Sequence, residues 1–271
     1  MKSFYGGLRE VYEPVKRGTT QLTALDGTPV LREKSEILGR FAEHFDQLLN
    51  IPGVLDVGAA SAIHVRPKVL CLSKHLDLKE VVDAIDATRE GKASGKCGIA
   101  AEIWKYGGTE IVSKLHQLIL SVWSEENVPQ DWKDASIVPI IKKGSRKDCG
   151  NYRGISLLSI AGKILSPVLR DRINMYIAPV VIPESQCGFR SGRGTVYVIF
   201  CLRQPQEKCI EQNMPLYAVF IDFTKSFDTV SRDGLWQVHT KFGCPAKFVN
   251  IIKLSTQWHA GFSGTGNQPL Q

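Results

Sequence analysis

Residues 216–223 read Leu-Tyr-Ala-Val-Phe-Ile-Asp-Phe, an apolar run with a single carboxylate near its end. Its β-branched and aromatic residues predict a buried strand over Tyr217–Asp222. A carboxylate that leaves a buried strand end is well placed to hold a divalent metal in a cleft, as nucleotidyl transfer requires. One aspartate cannot hold a pair of metals alone. The alternative is that Asp222 only caps the turn after the strand.

Outward from this stretch, the apolar periodicity is mainly helical. Asp77 and Glu80 have the spacing of a capping box at a helix start. Ser136–Ile141 predicts a strand, at an edge or a bulge because of Pro139. Residues 52–67 are poor in periodicity and predict a loose connector, and Asp26-Gly27 predicts a turn. The further predicted helices span residues 36–49, 109–123, 159–177 (closed by Pro179), 195–212, 233–242 and 246–258.

Composition bounds the class of protein. The chain has 271 residues, of which 43% are hydrophobic and 23% charged, so it is not wholly disordered. No apolar run approaches the roughly 18 residues of a membrane span, and the first residues lack an apolar signal core. We therefore expect no membrane partner and a cytoplasmic or nuclear location. Seven cysteines without a Cys-x-x-Cys pair favour reduced thiols over zinc or disulfides.

Positive charge is concentrated in one segment. Residues 142–193 hold ten basic and three acidic residues, a net charge of +7 that equals the formal charge of the whole chain. Such a segment indicates a polyanionic partner, nucleic acid or nucleotide phosphates, although an ordinary solvated surface is the alternative. Within it, Lys142, Lys143 and Arg153 flank a glycine-bearing loop that could hold a triphosphate. The plainer interpretation of that loop is a solvent-exposed hairpin.

Several segments together resemble the reverse transcriptase of LINE-type (non-LTR) retrotransposons, a class of transposable element. Residues 91–99 and 101–105 resemble a Gly-Lys-Ala-Pro-Gly segment of that family. Residues 132–144 with 151–158 resemble its first fingers motif, and 183–195 its second. Phe220-Ile-Asp-Phe-Thr-Lys-Ser-Phe-Asp-Thr-Val resembles motif A of the palm. The four motifs occur in the family's order, and the resemblance covers about residues 41–261.

The resemblance implies a fold and a set of roles. The fold is α+β and helix-rich, the fingers and incomplete palm of a right-hand polymerase. Asp222 would be the first metal-binding catalytic aspartate, with Mg²⁺ as the cofactor of the complete enzyme. Phe223 would lie beside it, and Phe227 would be the gate against a 2′-hydroxyl. The other contacts to nucleotide or template would come from Lys142 or Lys143, Arg153, Gln186, Phe189 and Arg190.

The resemblance also implies substrates and domains. An RNA template, a DNA primer and deoxynucleotides would be the partners. Residues 1–76 would be a linker-like region and 77–262 the fingers and partial palm. Residues 263–271 are polar and glycine-bearing, which predicts a disordered tail. Ser94, Cys97, Gly154, Gly194 and Tyr197 depart from the family pattern.

The later palm motifs, with their Asp-Asp pair, are absent from the sequence. We therefore expect a polymerase fragment that is inactive alone. A non-catalytic nucleic-acid-binding protein and a decayed element product without function are the alternatives.

Overall fold

The structure is a computed structural model. It describes residues 21–25, 30–49, 56–223, 226–227, 229–256 and 259–261. Within these ranges the chain forms two compact units, each described below by itself. The first unit contains residues 30–49 and 135–157 with short flanking pieces, and the second contains residues 56–134 and 158–259. Both helices and sheets are present and helices predominate, so the α+β, helix-rich class is confirmed.

The first unit packs one helix against short strands. Strands β1 (Leu22–Thr23) and β2 (Val30–Leu31) pair antiparallel, with Leu22 opposite Leu31. Helix α1 (Lys34–Leu49) confirms the helix predicted over 36–49. A second sheet has the order β4-β3-β5, from β3 (Asp134–Ile141), β4 (Tyr152–Leu158) and β5 (His259–Gly261).

Two phenylalanines of α1 form the centre of this unit. Phe41 and Phe45 lie one turn apart on one helix face, both are buried, and the Phe41 ring meets that of Tyr152 edge-on at 5.0 Å. β4 comes close to the same helix at Gly154, where a Cβ would lie 2.8 Å from Cε1 of Phe45. The buried residues of this core are Leu22, Phe41, Phe45, Ile137 and Cys149.

The strand predicted over Ser136–Ile141 is confirmed. Of the two settings predicted for Pro139, an edge or a bulge, the edge is wrong. β3 lies in the middle of its sheet although it contains Pro139. β5 has three residues and β3 has eight. Three residues of β5 can pair with only part of β3, so some positions on that side of β3 have no neighbouring strand. At such a position a proline, which lacks an N–H, costs no hydrogen bond between strands.

The second unit is helical. The helices predicted over 109–123, 195–212 and 233–242 are confirmed to within a few residues. So is the capping box, since the Asp77 amide donates to Glu80 Oε2 at 2.8 Å. The helices are α2 (Val57–Ala62), α3 (Leu78–Asp86), α4 (Ala101–Tyr106), α5 (Gly108–Glu125), α6 (Gln130–Lys133), α7 (Ile160–Tyr176), α8 (Ala178–Val181), α9 (Thr195–Glu211), α10 (Arg232–Lys241) and α11 (Ala246–Thr256), with a 3-10 turn at Leu70–Ser73.

The core of this unit lies among α3, α5, α7 and α11. Trp123 of α5 and Phe248 of α11 are fully buried and meet edge-on at 6.1 Å. Ile119 and Ile164 contribute apolar faces from α5 and α7. The periodic apolar positions of these four helices therefore lie where amphipathic helices should bury them.

The predicted strand over Tyr217–Asp222 is wrong. Residues 214–223 run without helix or sheet, and all of them are exposed. A strand is stabilised by ladder hydrogen bonds to a neighbour, and no described strand lies beside this segment. Its apolar residues therefore stay in solvent, with Phe220 at 81% and Ile221 at 76% exposure.

Other local predictions need correction or cannot be compared. Part of the predicted connector over 52–67 is helix α2. Asp56 caps its N-terminus, and the Asp56 carboxylate accepts a hydrogen bond from the Ala59 amide. Pro179 lies in α8, so it does not end the preceding helix directly. The turn at Asp26-Gly27 and the tail 263–271 lie outside the described residues. Among the helices that are described, each is too short or too polar to cross a bilayer.

Candidate functional site

Most of the exposed basic residues that the structure describes in the first unit lie in the loop between β3 and β4 and at the start of β4. We call residues 142–153 the basic hairpin. Its two strand ends are joined by a hydrogen bond from the Lys142 amide to the Asn151 carbonyl at 2.8 Å. Lys142, Lys143 and Arg153, all predicted to contact phosphates, are exposed on this hairpin. Arg146 and Lys147 at its tip are exposed as well.

Short-range hydrogen bonds hold the hairpin in one conformation. Asn151 donates from Nδ2 to the Ser145 carbonyl at 3.0 Å, and the Tyr152 hydroxyl donates to the Arg146 carbonyl at 2.9 Å. The Asp148 carboxylate accepts from the Gly150 amide at 2.8 Å, so the only acidic side chain of the hairpin is engaged by backbone. Gly144 takes a φ of 75°, a conformation that glycine adopts without strain.

The five cations of the hairpin form no ion pair with a described residue. Lysine and arginine side chains in this state keep their charge available to an external anion. The hairpin can therefore bind phosphate groups without first breaking an internal salt bridge.

A second cluster lies in the second unit, before α9 and in the first turn of that helix. We call residues 183–197 the arginine–aromatic loop. Gln186 is exposed, and its Nε2 donates to the Gly188 carbonyl at 3.2 Å. Arg190 donates from Nη1 to the Pro183 carbonyl at 3.0 Å, which fixes the direction of its guanidinium group.

An exposed aromatic pair adjoins this loop. The rings of Phe189 and Phe227 meet at right angles with centroids 5.9 Å apart, although the side chains are 89% and 78% exposed. Phe189 has a φ of 58°, which few residues with a side chain adopt. Exposed aromatic rings beside arginines are the usual elements of a surface that binds single-stranded nucleic acid by stacking.

Asp222 and Phe223 lie in the irregular segment 214–223, and both are exposed. The residues present do not by themselves fit a metal pair. Within the described ranges, no three His, Cys, Asp or Glu side chains come together. Mg²⁺ requires oxygen ligands from more than one carboxylate or from substrate phosphates. The described residues alone therefore do not form a two-metal site at Asp222.

The predicted site residues thus fall into groups by unit. Lys142, Lys143 and Arg153 share the basic hairpin of the first unit. In the second unit, Gln186 and Arg190 share the arginine–aromatic loop, and Phe227 joins it through Phe189.

Sequence analysis assigned no role to Arg193 and Glu184, which also belong to this loop. Arg193 lies over the Tyr197 ring, with Cζ 4.4 Å from its centroid. Spacing alone gave no signal for the contacts of either residue.

The ten basic residues of segment 142–193 are not all available to a ligand. Arg170 pairs with Asp171, Arg172 with Glu80, and Arg190 and Arg193 with Glu184. Burial lowers the pKa of the half-buried Lys163. The segment is also divided between the two units. The net charge of +7 therefore overstates what this segment offers to a polyanion.

Comparison with known proteins identifies the segment that contains these clusters. Residues 140–267 match the family described as reverse transcriptase (RNA-dependent DNA polymerase). This match includes the basic hairpin, the arginine–aromatic loop and Asp222. These residues belong to the reverse transcriptase family, which confirms the resemblance drawn from the motifs.

The chain is also similar to curated proteins of transposable elements. A probable RNA-directed DNA polymerase from transposon BS of Drosophila melanogaster is 28% identical over 182 residues, 66% of this chain and 20% of the relative. A Pol polyprotein from the type-1 retrotransposable element R1 of Bradysia coprophila is 29% identical over 161 residues, 59% of this chain and 16% of the relative. A transposon TX1 protein of Xenopus laevis is 23% identical over 244 residues, 88% of this chain and 18% of the relative.

These relatives come from transposable elements of the non-LTR type, the type that the motifs of this sequence resemble. The chain spans about a fifth of the length of these relatives.

Proposed function

We propose that this chain supplies the fingers and the first part of the palm of a retrotransposon RNA-directed DNA polymerase. In this role it holds an RNA template, a DNA primer and an incoming deoxynucleotide. The observation that carries the proposal is the basic hairpin within the segment that matches the family, because its five cations form no ion pair with any described residue. Residues 77–262 would form the polymerase part, with a linker-like region before it and a disordered tail after it.

The two clusters supply different kinds of contact. Lys142, Lys143 and Arg153 would bind the phosphates of the nucleotide, the lysines as point charges and the arginine as a planar fork. Gln186 and Arg190 would contact template or nucleotide. Phe227 would pack against the sugar, and Phe223 would lie beside the reacting groups.

The chemical step would be transfer of a deoxynucleotide to a primer 3′-hydroxyl. Asp222 would contribute one carboxylate to a Mg²⁺ pair in the complete family enzyme, where the metals supply activation of the attacking oxygen and stabilisation of the leaving one. The 271 residues contain no adjacent pair of aspartates. We therefore propose that the chain binds substrates but does not extend a primer by itself.

Binding is tested by fluorescence anisotropy with a short labelled single-stranded RNA over a series of KCl concentrations. Lys142→Ala/Lys143→Ala should weaken binding and reduce the slope of log K against log [salt] by about 1.4. Each phosphate contact on a single strand contributes about 0.7 to that slope, and the double variant removes two contacts. The matched control is Lys68→Ala/Lys79→Ala, which removes two exposed lysines outside the segment 142–193. Equal slopes for the two double variants would contradict the proposed role of the hairpin.

Catalysis is tested by primer extension on an RNA template with deoxynucleotides and Mg²⁺. We expect no extension by this chain. Incorporation that Asp222→Ala abolishes would overturn the proposal of an incomplete polymerase and establish Asp222 as catalytic.

The non-catalytic nucleic-acid-binding protein is the second candidate, favoured by the hairpin alone. It predicts the same salt-dependent binding. It also predicts that Asp222→Ala has no effect on primer extension, whether the chain is assayed alone or together with the remaining part of the polymerase. A product without function predicts no salt-dependent binding.

A further inference from the structure

One carboxylate lies between the two arginines of the arginine–aromatic loop. Arg190 Nη2 is 3.4 Å from Oε1 of Glu184, and Arg193 Nη2 donates a hydrogen bond to Oε2 of the same group. Two guanidinium groups thus face one anion position. Each arginine has a second contact within the loop: Arg190 donates a hydrogen bond to the Pro183 carbonyl, and Arg193 lies over the Tyr197 ring.

The exposures show which partner can leave. The Glu184 side chain is 75% exposed, whereas those of Arg190 and Arg193 are 21% and 23% exposed. The arginines lie against the protein, and the carboxylate covers them from the solvent side. Exposed ion pairs contribute little to stability, so this carboxylate can exchange with solvent at small cost.

We infer that Glu184 is an internal competitor that occupies the position of a nucleic-acid phosphate between Arg190 and Arg193. Guanidinium groups bind carboxylate and phosphate oxygens through the same paired N–H donors. A backbone phosphate binds there when the Glu184 carboxylate turns out into solvent. This inference rests on the proposed function, because it takes the arginines of the loop as part of the surface that binds nucleic acid.

The test is the same RNA anisotropy titration on Glu184→Gln, which keeps the size of the side chain and removes its charge. Affinity should rise about three- to tenfold, and the salt slope should steepen by about 0.7, since one more phosphate is neutralised on a single strand. The matched control is Glu211→Gln, which also neutralises an exposed, ion-paired carboxylate, that of the Lys208–Glu211 pair of α9. A gain that arises only from net charge would appear equally in both variants.

Two further variants separate competition from a change in the loop itself. Glu184→Asp keeps the charge but draws the carboxylate back by one methylene, so its affinity should lie between those of the wild type and Glu184→Gln. Adding Arg193→Gln to Glu184→Gln should abolish the gain, because the extra phosphate contact needs both arginines. Thermal melts of all variants identify any loss of folding. If Glu184→Gln has a lower melting temperature than the wild type, the affinity of Glu184→Asp still tests the inference.

The outcomes distinguish the inference from the proposed function. Tighter, more salt-dependent binding by Glu184→Gln than by Glu211→Gln supports the competitor. Equal binding by these two variants overturns it, while dependence on Lys142 and Lys143 would leave the proposed function intact. Absence of RNA binding by every variant, Glu184→Gln included, overturns both.

Discussion

Arg172 shows how one basic residue of the segment 142–193 serves the fold and not a ligand. Its guanidinium group forms two 2.7 Å hydrogen bonds to the Glu80 carboxylate. It also donates to the carbonyls of Leu72, Lys74 and His75, at 3.3, 2.6 and 2.8 Å. The side chain is 7% exposed, so nearly all its donors are satisfied inside the protein. This network joins α7 to α3 and to the turn before it.

Replacement of Arg172 by Ala should lower the free energy of unfolding by about 3–5 kcal/mol, because it leaves a partly buried carboxylate and three carbonyls without their donor. The matched control is Arg170→Ala on the same helix, whose exposed pair with Asp171 should contribute at most about 1 kcal/mol. Urea unfolding of both variants gives the comparison. Similar losses for the two arginines would contradict the structural role of Arg172.

Glu80 makes the stability of this network depend on pH. Burial by itself raises the pKa of the Glu80 carboxyl, but the hydrogen bonds from Arg172 and from the Asp77 amide, with the charge of Arg172, lower the pKa overall below its ordinary value of 4.5. A carboxyl with a lowered pKa in the folded state stabilises the fold above pH 4.5. That contribution is lost as the pH falls below 4.5 through the folded-state pKa.

The free energy of unfolding should therefore fall more steeply below pH 4.5 in the wild type than in Glu80→Gln. Urea titrations between about pH 3 and pH 6 measure this difference. Parallel curves for the two proteins would show that Glu80 does not carry the acid sensitivity.

At the scale of elements, the packing of β4 on α1 requires a residue without a side chain, Gly154. A Cβ on Gly154 would lie 2.8 Å from Cε1 of Phe45 and 3.0 Å from Cγ2 of Ile137. Both neighbours belong to the buried core of the first unit and have little room to move. The departure from the family pattern at Gly154 therefore has a local reason in this chain.

Gly154→Ala should destabilise the first unit by about 1–3 kcal/mol, because the added methyl group overpacks the core. Gly39→Ala is the matched control. Gly39 lies in α1 with open space around its Cβ position, so alanine should stabilise the helix by about 0.5–1 kcal/mol. Thermal melts of the two variants should therefore shift in opposite directions, and a gain from Gly154→Ala would contradict the close approach of β4 to α1.

Helix α9 and the segment that follows it form an unusually apolar exposed surface. Every residue of α9 except Cys209 is exposed, and Val198, Ile199 and Phe200 follow one another on it. Leu202, Cys209 and Met214 line a groove of about 390 Å³ between α9 and the chain beyond it. Large exposed apolar patches are associated with binding or with aggregation.

At the scale of the whole molecule, this surface predicts self-association of the isolated chain. Ile221→Lys should weaken that association about tenfold or more, as expected when a large apolar side chain no longer leaves water. Leu70→Lys is the control, since Leu70 is similarly exposed in another part of the second unit. Sedimentation velocity over a range of concentrations measures the effect. A monomer at all concentrations would contradict the prediction.

Self-association also bears on how the isolated chain should be assayed. The two units differ in composition of their exposed surfaces: the first carries the basic hairpin, and the second carries α9 and residues 214–223. RNA binding should therefore be measured below the concentration at which the chain associates. A change in anisotropy then reports on the hairpin and on the arginine–aromatic loop.

The sequence by itself determined the local features of this protein. Apolar periodicity placed α1 and α5 to within a few residues, and a helix start at Thr195 placed α9. The Asp77–Glu80 spacing identified a cap that the hydrogen bonds confirm. The order of the motifs identified the reverse transcriptase family. These signals depend on residues close together in the chain, so no tertiary information is needed to interpret them.

Tertiary structure alone decided which of the predicted residues are free to act. Arg172 and Lys142 look alike in the sequence, but the partner of Arg172 is Glu80, 92 positions away, and Lys142 has none among the described residues. Likewise, an apolar run such as 216–221 becomes a strand only if a distant segment supplies a ladder, and no segment of the described part of the chain does so. Ion pairs and sheets join residues far apart in the chain, so local patterns indicate their components but not their pairing.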